Sequence, residues 1–127
     1  MTKYRGFRKD GKGWVEGYYW KTKSGHYITH NGATEYQDVF IHPESLGISV
    51  GLSDKNGREI FGSIDGSKGG DVLMYIGTNM SSMDVIFQNG MFVGVGPFNT
   101  HSLHTYLTAS DFQSIEIIGN QYEPQQP

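Results

Sequence analysis

Glycine divides this sequence into short segments, and that spacing restricts the fold more than any other feature. The chain has 18 glycines in 127 residues, many of them beside Asp, Asn or Lys and between runs of alternating apolar and polar residues. Asn-Gly and Asp-Gly pairs close tight hairpin turns, and no apolar pattern of helical period is long. The sequence therefore predicts an all-β (mainly β) protein of eight to ten short strands, a small barrel with additional N-terminal hairpins and at most one-turn helices.

The turn signals place individual hairpins along the chain. A strand from Tyr4 to Arg8 and a strand from Trp14 to Trp20 flank a turn at Asp10–Gly13. A second hairpin is expected around Asn31-Gly32, with its last strand ending near His42, and another around Asn89-Gly90. "HPESLG" suits a single helical turn, because Pro favours the first turn and Gly the exit.

Later segments complete the predicted strand set. "DVLMYIG", which begins at Asp71, is a continuous apolar run and is expected to be a central strand. "SIEIIG" is the last predicted strand, and we expect the tail at residues 123–127 to be poorly ordered. We predict a single domain over residues 1–127, in which an N-terminal β region (1–50) packs on a barrel region (51–122).

The segment "SDKNGRE" admits three interpretations, of which a tight turn fits best. A calcium loop that began at Asp54 would have Arg58 at its fifth ligand position, and the helix that follows a phosphate-binding loop is missing. A type I turn favours Asp first and Gly fourth, as at Asp54 and Gly57. It predicts that Asp54 faces Arg58, that Leu52 faces Ile60, and that the neighbouring pairs are Val50 with Gly62 and Ile48 with Ile64.

Composition excludes several kinds of chemistry. The chain has no cysteine, which rules out disulfides, zinc-thiolate sites and thiol catalysis and fits a reducing cytoplasm. No apolar run approaches the ~20 residues that span a bilayer, and the first ten residues lack the apolar stretch of a signal peptide. We therefore expect a cytoplasmic protein without a membrane partner.

Charge is distributed unevenly along the chain. The net charge is −3, yet residues 1–23 hold seven basic and two acidic residues, a local charge of +5. We expect this basic segment to pack on the acidic remainder, and a basic binding face is the alternative.

Candidate catalytic and metal-binding residues are sparse. His101 and His104 would point to opposite faces of a strand, so they do not form a ligand pair there. "GVGPF" has no nucleophile, and Asp71, Asp84 and Glu116 could form a carboxylate pair only through the fold. We predict no catalytic residue, no metal and no cofactor, and a small hydrolase remains the third hypothesis.

Binding is better supported, because aromatic and basic residues alternate near the N-terminus. Small barrels bind through such residues on strands and loops, although alternation buries about half of the aromatic side chains. The candidate binding surface consists of Arg5, Phe7, Arg8, Tyr19, Trp20 and Lys21.

Several motifs resemble the YopX-like proteins of phages and prophages. "GLSDKNGREIFGSI" followed by "SKGGDV" is similar to the core signature of that family, "KYRGFRKDGKGWVEGYY" to its opening, and "IEIIGNQYE" to its close. The chain departs from the family pattern at His42, where Asp is common, and at Gln121, where an apolar residue is common. An additional spacer spans residues 65–69.

The resemblance implies an SH3-like β-barrel and a phage origin, and no activity is assigned to the family. We therefore predict a non-enzymatic accessory protein that acts by binding a protein partner or a second copy of itself. The alternative is a weak single-stranded nucleic-acid binder that uses the basic aromatic N-terminal region.

Overall fold

The computed structural model describes residues 2–31, 36–75, 82–96, 100–102 and 115–123, which form an all-β fold as predicted. The described residues contain eleven strands, more than the eight to ten expected, and one 3-10 turn at Pro43–Ser45. The strands are β1 Tyr4–Phe7, β2 Trp14–Thr22, β3 Gly25–Asn31, β4 Tyr36–Phe40, β5 Gly47–Ser53, β6 Glu59–Ser63, β7 Asp71–Tyr75, β8 Met83–Gln88, β9 Met91–Val95, β10 Thr100–Ser102 and β11 Ile115–Asn120.

One curled sheet contains all these strands, in the order β10-β9-β8-β6-β5-β1-β2-β3-β4, with β7 and β11 branching from β8. β2 changes partner along its length: Trp14–Gly17 pair with β1, and Tyr18–Thr22 pair with β3. β2 therefore connects β1 and the strands beyond it to β3 and β4.

The first four strands curl until the end of β4 meets the end of β1. Arg8 and Ile41 form an antiparallel bridge, and the Lys9 N–H donates to the Phe40 carbonyl at 3.1 Å. A buried cluster fills the interior of this region, as expected where apolar residues alternate along half-buried strands; it contains Val15, Ile28, Ile41 and Leu46.

The second core lies under β6, β7, β8 and β11. β7 pairs with β8 on one side and β11 on the other, which confirms the prediction of a central strand from its apolar run. The cluster contains Ile60, Leu73, Met83, Val85, Ile115 and Ile117.

The Asn89-Gly90 hairpin forms as predicted. Gln88 pairs with Met91 across the turn, and both turn residues have positive φ, 52° at Asn89 and 78° at Gly90. These values are typical of a type I′ turn, which requires the left-handed region at both central positions.

The turn after β5 is confirmed, but part of its predicted register is wrong. Gly57 has φ 78°, its N–H donates to the Asp54 carbonyl at 3.0 Å, and the Asp54 N–H donates to the Arg58 carbonyl at 2.9 Å. On the N-terminal side of Ser53 the pairing of β5 with β6 shifts, so that Ile48 pairs with Gly62 and not with Ile64.

The cause of the shift is a bulge in β5. Ser53 faces Glu59, whereas Ser49 faces Phe61, so β5 has two more residues than β6 over this stretch. Gly51 lies in the bulge with φ 85°, a conformation that glycine adopts without steric cost.

Several sequence predictions lie wholly or partly outside the described residues. These are the turn residues after Asn31, the loop before Ser82, the strand beyond Ser102, the helical turn near residue 110 and the tail beyond Glu123. No helix within the described ranges is long and apolar enough to cross a membrane.

Candidate binding surface

The structure separates the six predicted surface residues instead of assembling them. Arg5 is almost enclosed: its Nη2 is 2.7 Å from Asp71 Oδ1, and its Nε donates to the Gly69 carbonyl at 2.9 Å. The guanidinium also lies 4.6 Å from the ring centres of both Trp14 and Phe61. Arg5 therefore connects β1 to the β7 region and is not available to a partner.

Asp71, the partner of Arg5, is buried, and both of its carboxylate oxygens make contacts within the fold. Its Oδ2 accepts the Phe61 N–H at 2.8 Å. Burial raises the pKa of Asp71 above its ordinary value, although the Arg5 guanidinium and the Phe61 N–H act to lower it. A raised carboxyl pKa in a cleft can mark a catalytic acid, but here both oxygens are already occupied by the fold.

Two more of the predicted residues take part in local contacts. The Phe7 ring lies 5.4 Å from Trp14 and 5.5 Å from Tyr122, edge-on to the first and tilted to the second. Arg8 forms a forked ion pair with Asp10 in the neighbouring turn, so its charge is locally neutralised.

Alternation along β2 places Tyr19 and Trp20 on opposite faces of the sheet. Tyr19 packs beside Tyr4 against the first core, and its hydroxyl lies 2.6 Å from His26 Nδ1. Burial raises the pKa of Tyr19. Lys21 shares the Tyr19 side of the strand, so the outer face retains Trp20 alone among the six residues.

Trp20 instead belongs to an aromatic row that crosses three strands. Its ring stacks on Tyr27 of β3 at 4.3 Å with an interplanar angle of 14°. Tyr27 in turn contacts Phe40 of β4 at 4.4 Å. We call Trp20, Tyr27 and Phe40 the aromatic ladder.

The ladder is exposed to solvent on the outer face of β2-β3-β4. Trp20 is 37% exposed and Phe40 46% exposed, and Tyr18 on the same face is 40% exposed. Large aromatic side chains rarely cluster on a surface without a contact to make, so this face is the best-supported binding surface in the described part of the chain.

A line of polar contacts fixes the orientation of the ladder. Trp20 Nε1 donates to Thr29 Oγ1 at 2.7 Å, and Thr29 Oγ1 donates to Asp38 Oδ1 at 2.8 Å. Because both partners lie on neighbouring strands, the indole is held in one orientation before any ligand arrives, which lowers the entropy cost of binding.

Sequence reasoning missed Tyr27 and Phe40 because it missed the β2-β3 hairpin. Thr22 pairs with Gly25, so Lys23 and Ser24 form the two-residue turn. That dipeptide lacks the Asn-Gly or Asp-Gly signature of such hairpins. A register anchored at this turn would have placed Trp20 opposite Tyr27. The predicted Asn31-Gly32 turn, read as a two-residue turn, would have placed Tyr27 opposite Tyr36, whereas Asn31 itself pairs with Tyr36 and Tyr27 with Phe40.

The middle ring of the ladder is covered on both sides by its neighbours. Tyr27 has Trp20 on one side and Phe40 on the other, so a nucleic-acid base cannot stack on its faces. Base-binding sheets work by offering free ring faces.

A groove borders the ladder at the edge of β4. It has a volume of about 810 Å³ and lies between the turn after β1 and the outer strand; it is lined by Arg8, Lys9, Asp10, Gln37, Asp38, Val39 and Phe40. Lys9 has no carboxylate partner among the described residues.

The other candidate groups are not brought into one site. Glu116 accepts from Asn56 Nδ2 at 3.3 Å, and Asp71 is paired with Arg5. Burial raises the pKa of Asp84, which sits on β8. Within the described ranges no three His, Cys, Asp or Glu side chains are grouped as metal ligands; the side chain of His101 and all of His104 lie outside the described residues.

The comparison with protein families gives a match to the family described as YopX protein over residues 3–126. The chain belongs to the YopX family. No curated protein matches the chain.

The YopX motifs identified in the sequence have structural roles. Asp54 accepts backbone N–H groups from Asn56, Arg58 and Ile117, so the core signature joins its own turn to β11. In the closing motif, Glu123 accepts from Trp14 Nε1 at 2.8 Å, which connects the end of the described chain to β2.

Gln121, which departs from the common YopX pattern, also has a structural role. Its Nε2 donates to the carbonyls of Asp71 and Val85, and its Oε1 accepts from Ser63 Oγ at 2.8 Å. One amide therefore satisfies polar groups of β6, β7 and β8 together, which an apolar residue at this position could not do.

Proposed function

We propose that this protein is a non-enzymatic accessory protein of phage or prophage origin that acts in the host cytoplasm by binding another protein. The aromatic ladder is the observation that carries the proposal. Its rings are exposed, apolar and already oriented, as expected of residues that dominate protein interfaces. The cysteine-free composition fits the cytoplasmic location.

Substitution of the ladder tests this proposal. The wild type and a Trp20→Thr/Phe40→Thr variant are immobilised and exposed to a lysate of infected host cells, and retained proteins are quantified by mass spectrometry. Thr keeps a high strand propensity, so the fold should persist and retention of specific proteins should fall about ten-fold, which corresponds to about 1.4 kcal/mol.

The matched control is Met91→Thr, which removes an equally exposed apolar side chain (46%) from β9. Circular dichroism and thermal unfolding establish that all three proteins are folded. If the ladder variant retains the same proteins as the wild type, the proposal is wrong.

A single-stranded nucleic-acid binder is the second candidate, because exposed basic side chains are frequent in the N-terminal region. Lys9, Lys21 and Lys23 are exposed and have no carboxylate partner among the described residues. If this function is correct, oligonucleotide binding falls steeply between low and moderate salt, and Arg8→Ala or Lys21→Ala weakens it. Absence of binding at low salt removes this candidate.

A further inference from the structure

β4 is the outermost strand of the described sheet at its N-terminal end. Only the last part of its outer edge is covered, where the Lys9 N–H donates to the Phe40 carbonyl at 3.1 Å. The chain then turns away: the Gly11 N–H donates back to the Arg8 carbonyl at 3.0 Å, with Gly11 at φ 78°. Among the described residues, the outer edge of β4 before Phe40 therefore has no neighbouring strand.

The backbone groups on this open edge can be assigned from the alternation of strand hydrogen bonds. The Ile41 N–H points inward, to the His26 carbonyl of β3 at 3.1 Å, whereas the Phe40 carbonyl points outward to Lys9. Successive residues alternate between the two sides, so the N–H and C=O of Asp38 point outward. Neither group has a hydrogen-bond partner among the described residues.

The groove of about 810 Å³ lies against these groups. Its lining comes from the turn at Arg8–Asp10 on one side and from Gln37–Phe40 on the other. An extended segment in this position would continue the sheet where β1 stops.

We propose that the β4 edge binds an extended segment of a partner protein, which adds to the sheet as a further strand beside Gln37–Asp38. This inference rests on the proposed binding function and specifies how the partner docks. Main-chain hydrogen bonds to Asp38 would provide the affinity, and side chains on the outer face would provide the selectivity.

The chemistry of the outer face defines the segment. Directly opposite residues of neighbouring strands share a face, so the residue opposite Asp38 meets its exposed carboxylate, which Thr29 Oγ1 already orients at 2.8 Å. A Lys or Arg fits that position. Lys9 already occupies the position opposite Phe40, so the residue opposite Asp38 is the one that selects the segment.

A proline substitution isolates the contribution of the backbone. Asp38→Pro removes an N–H that points away from β3, which an edge strand tolerates, whereas Asp38→Ala removes the same side chain and keeps the N–H. The probe is a display library of random peptides of about twelve residues selected on the wild type, and the affinities of the selected peptides are measured by fluorescence anisotropy.

The selected peptides should carry a basic residue within a stretch that can adopt an extended strand. Asp38→Ala should weaken them by up to about five-fold, the range of an exposed ion pair. Asp38→Pro should weaken them about ten-fold more, because a hydrogen bond is lost and the ring blocks the incoming strand. Equal binding by the two variants, or no selected peptide at all, overturns the proposal.

A second measurement on the wild type remains decisive if Asp38→Pro does not fold. Bound peptide should slow amide hydrogen exchange at Asp38 and Phe40 but not in β9; no protection at these two amides contradicts the proposal. A dimer that Asp38→Pro dissociates would assign the edge to a second copy and would also overturn it.

The lysate experiment distinguishes the proposed binding function from the proposed strand-addition mode. If the ladder variant loses its partners while Asp38→Pro keeps them, the binding function stands and the strand-addition mode is wrong. If both variants keep all partners, both proposals are wrong.

Discussion

The carboxylate of Asp54 satisfies three backbone N–H groups at once. They belong to Asn56, Arg58 and Ile117, at 2.9 to 3.0 Å, and Asp54 itself is only 3% exposed. Burial acts to raise the pKa of Asp54, but these three hydrogen bonds outweigh it and the pKa is lowered. An acidic residue in a surface-turn motif is thus a buried structural element that connects the turn to β11.

Replacement of Asp54 by Asn should lower the free energy of unfolding by about 2–3 kcal/mol at neutral pH. An amide matches the carboxylate in shape, but it accepts weaker hydrogen bonds and brings its own N–H groups toward the backbone donors. Urea denaturation of the wild type and the variant measures the difference. Asp10→Ala, an exposed carboxylate in a comparable turn, is the control and should have a much smaller effect.

The cost of Asp54→Asn should depend on pH. The folded pKa of Asp54 lies below its ordinary value of about 3.9, so its stabilisation is complete above that pH and is lost as the pH falls through the folded value. The stability difference between the two proteins should therefore shrink as the pH is lowered below the ordinary pKa of an aspartate. A difference that stays constant would show that the charge of Asp54 has no part in it.

At the scale of elements, the loop that carries Gly69 packs on the 3-10 turn. The Lys68 N–H donates to the Glu44 carbonyl at 2.7 Å, and Ser67 Oγ donates to the Leu46 carbonyl. A Cβ on Gly69 would overlap the main chain of Ser45 and Leu46. This glycine is therefore required for close backbone approach and not for turn geometry.

Gly69→Ala should consequently destabilise the protein by about 3 kcal/mol, at the upper end of the cost of overpacking. Gly66→Ala in the same loop is the matched control, since Gly66 has φ 79° but open space around its Cβ position. It should cost only the left-handed backbone penalty, about 1–2 kcal/mol. Thermal unfolding distinguishes them, and equal losses would contradict the packing argument.

Several element boundaries were predictable from local turn signals in the sequence. The hairpins at Asp10–Gly13 and Asn89-Gly90 and the Asp54–Gly57 turn all formed as their turn residues predicted. The shift at Gly51 was not predictable, because a bulge leaves the alternating pattern of the strand nearly unchanged.

Features that depend on distant contacts could not be predicted. Arg5 and Asp71 are 66 residues apart, and a single sequence contains no signal that pairs them, so Arg5 was assigned to the surface. The aromatic ladder was not predicted for a related reason. Its rings can be placed together only when the registers of two hairpins are known, and the Lys23-Ser24 turn that sets the first register has no diagnostic residues.

At the scale of the whole molecule, the two cores are joined by polar contacts and by a shared sheet. β1 pairs with β5, and β5 runs from Gly47 to Ser53, across the predicted boundary at residue 50. Arg5 and Asp71 add a buried ion pair between the two regions. Such contacts should make the regions unfold together, in keeping with the predicted single domain.

Tryptophan fluorescence can test this cooperativity, because both tryptophans lie in the N-terminal region. In a Trp14→Phe background, where Trp20 is the only reporter, Leu73→Ala in the second core should shift the unfolding midpoint seen at Trp20, at a cost of about 2–5 kcal/mol. Ile28→Ala in the first core is the control and should shift it as well. If Leu73→Ala leaves the Trp20 transition unmoved, the two regions are independent lobes.

The contact of Glu123 with Trp14, together with the three hydrogen bonds of Gln121, has a consequence for biosynthesis. While the chain is still on the ribosome, the early strands can pair, but the Trp14 indole N–H and the groups that Gln121 contacts on β6 to β8 gain these hydrogen bonds only after residues 121–123 have emerged. A chain that stops before residue 121 lacks these contacts and should therefore be more open to proteolysis.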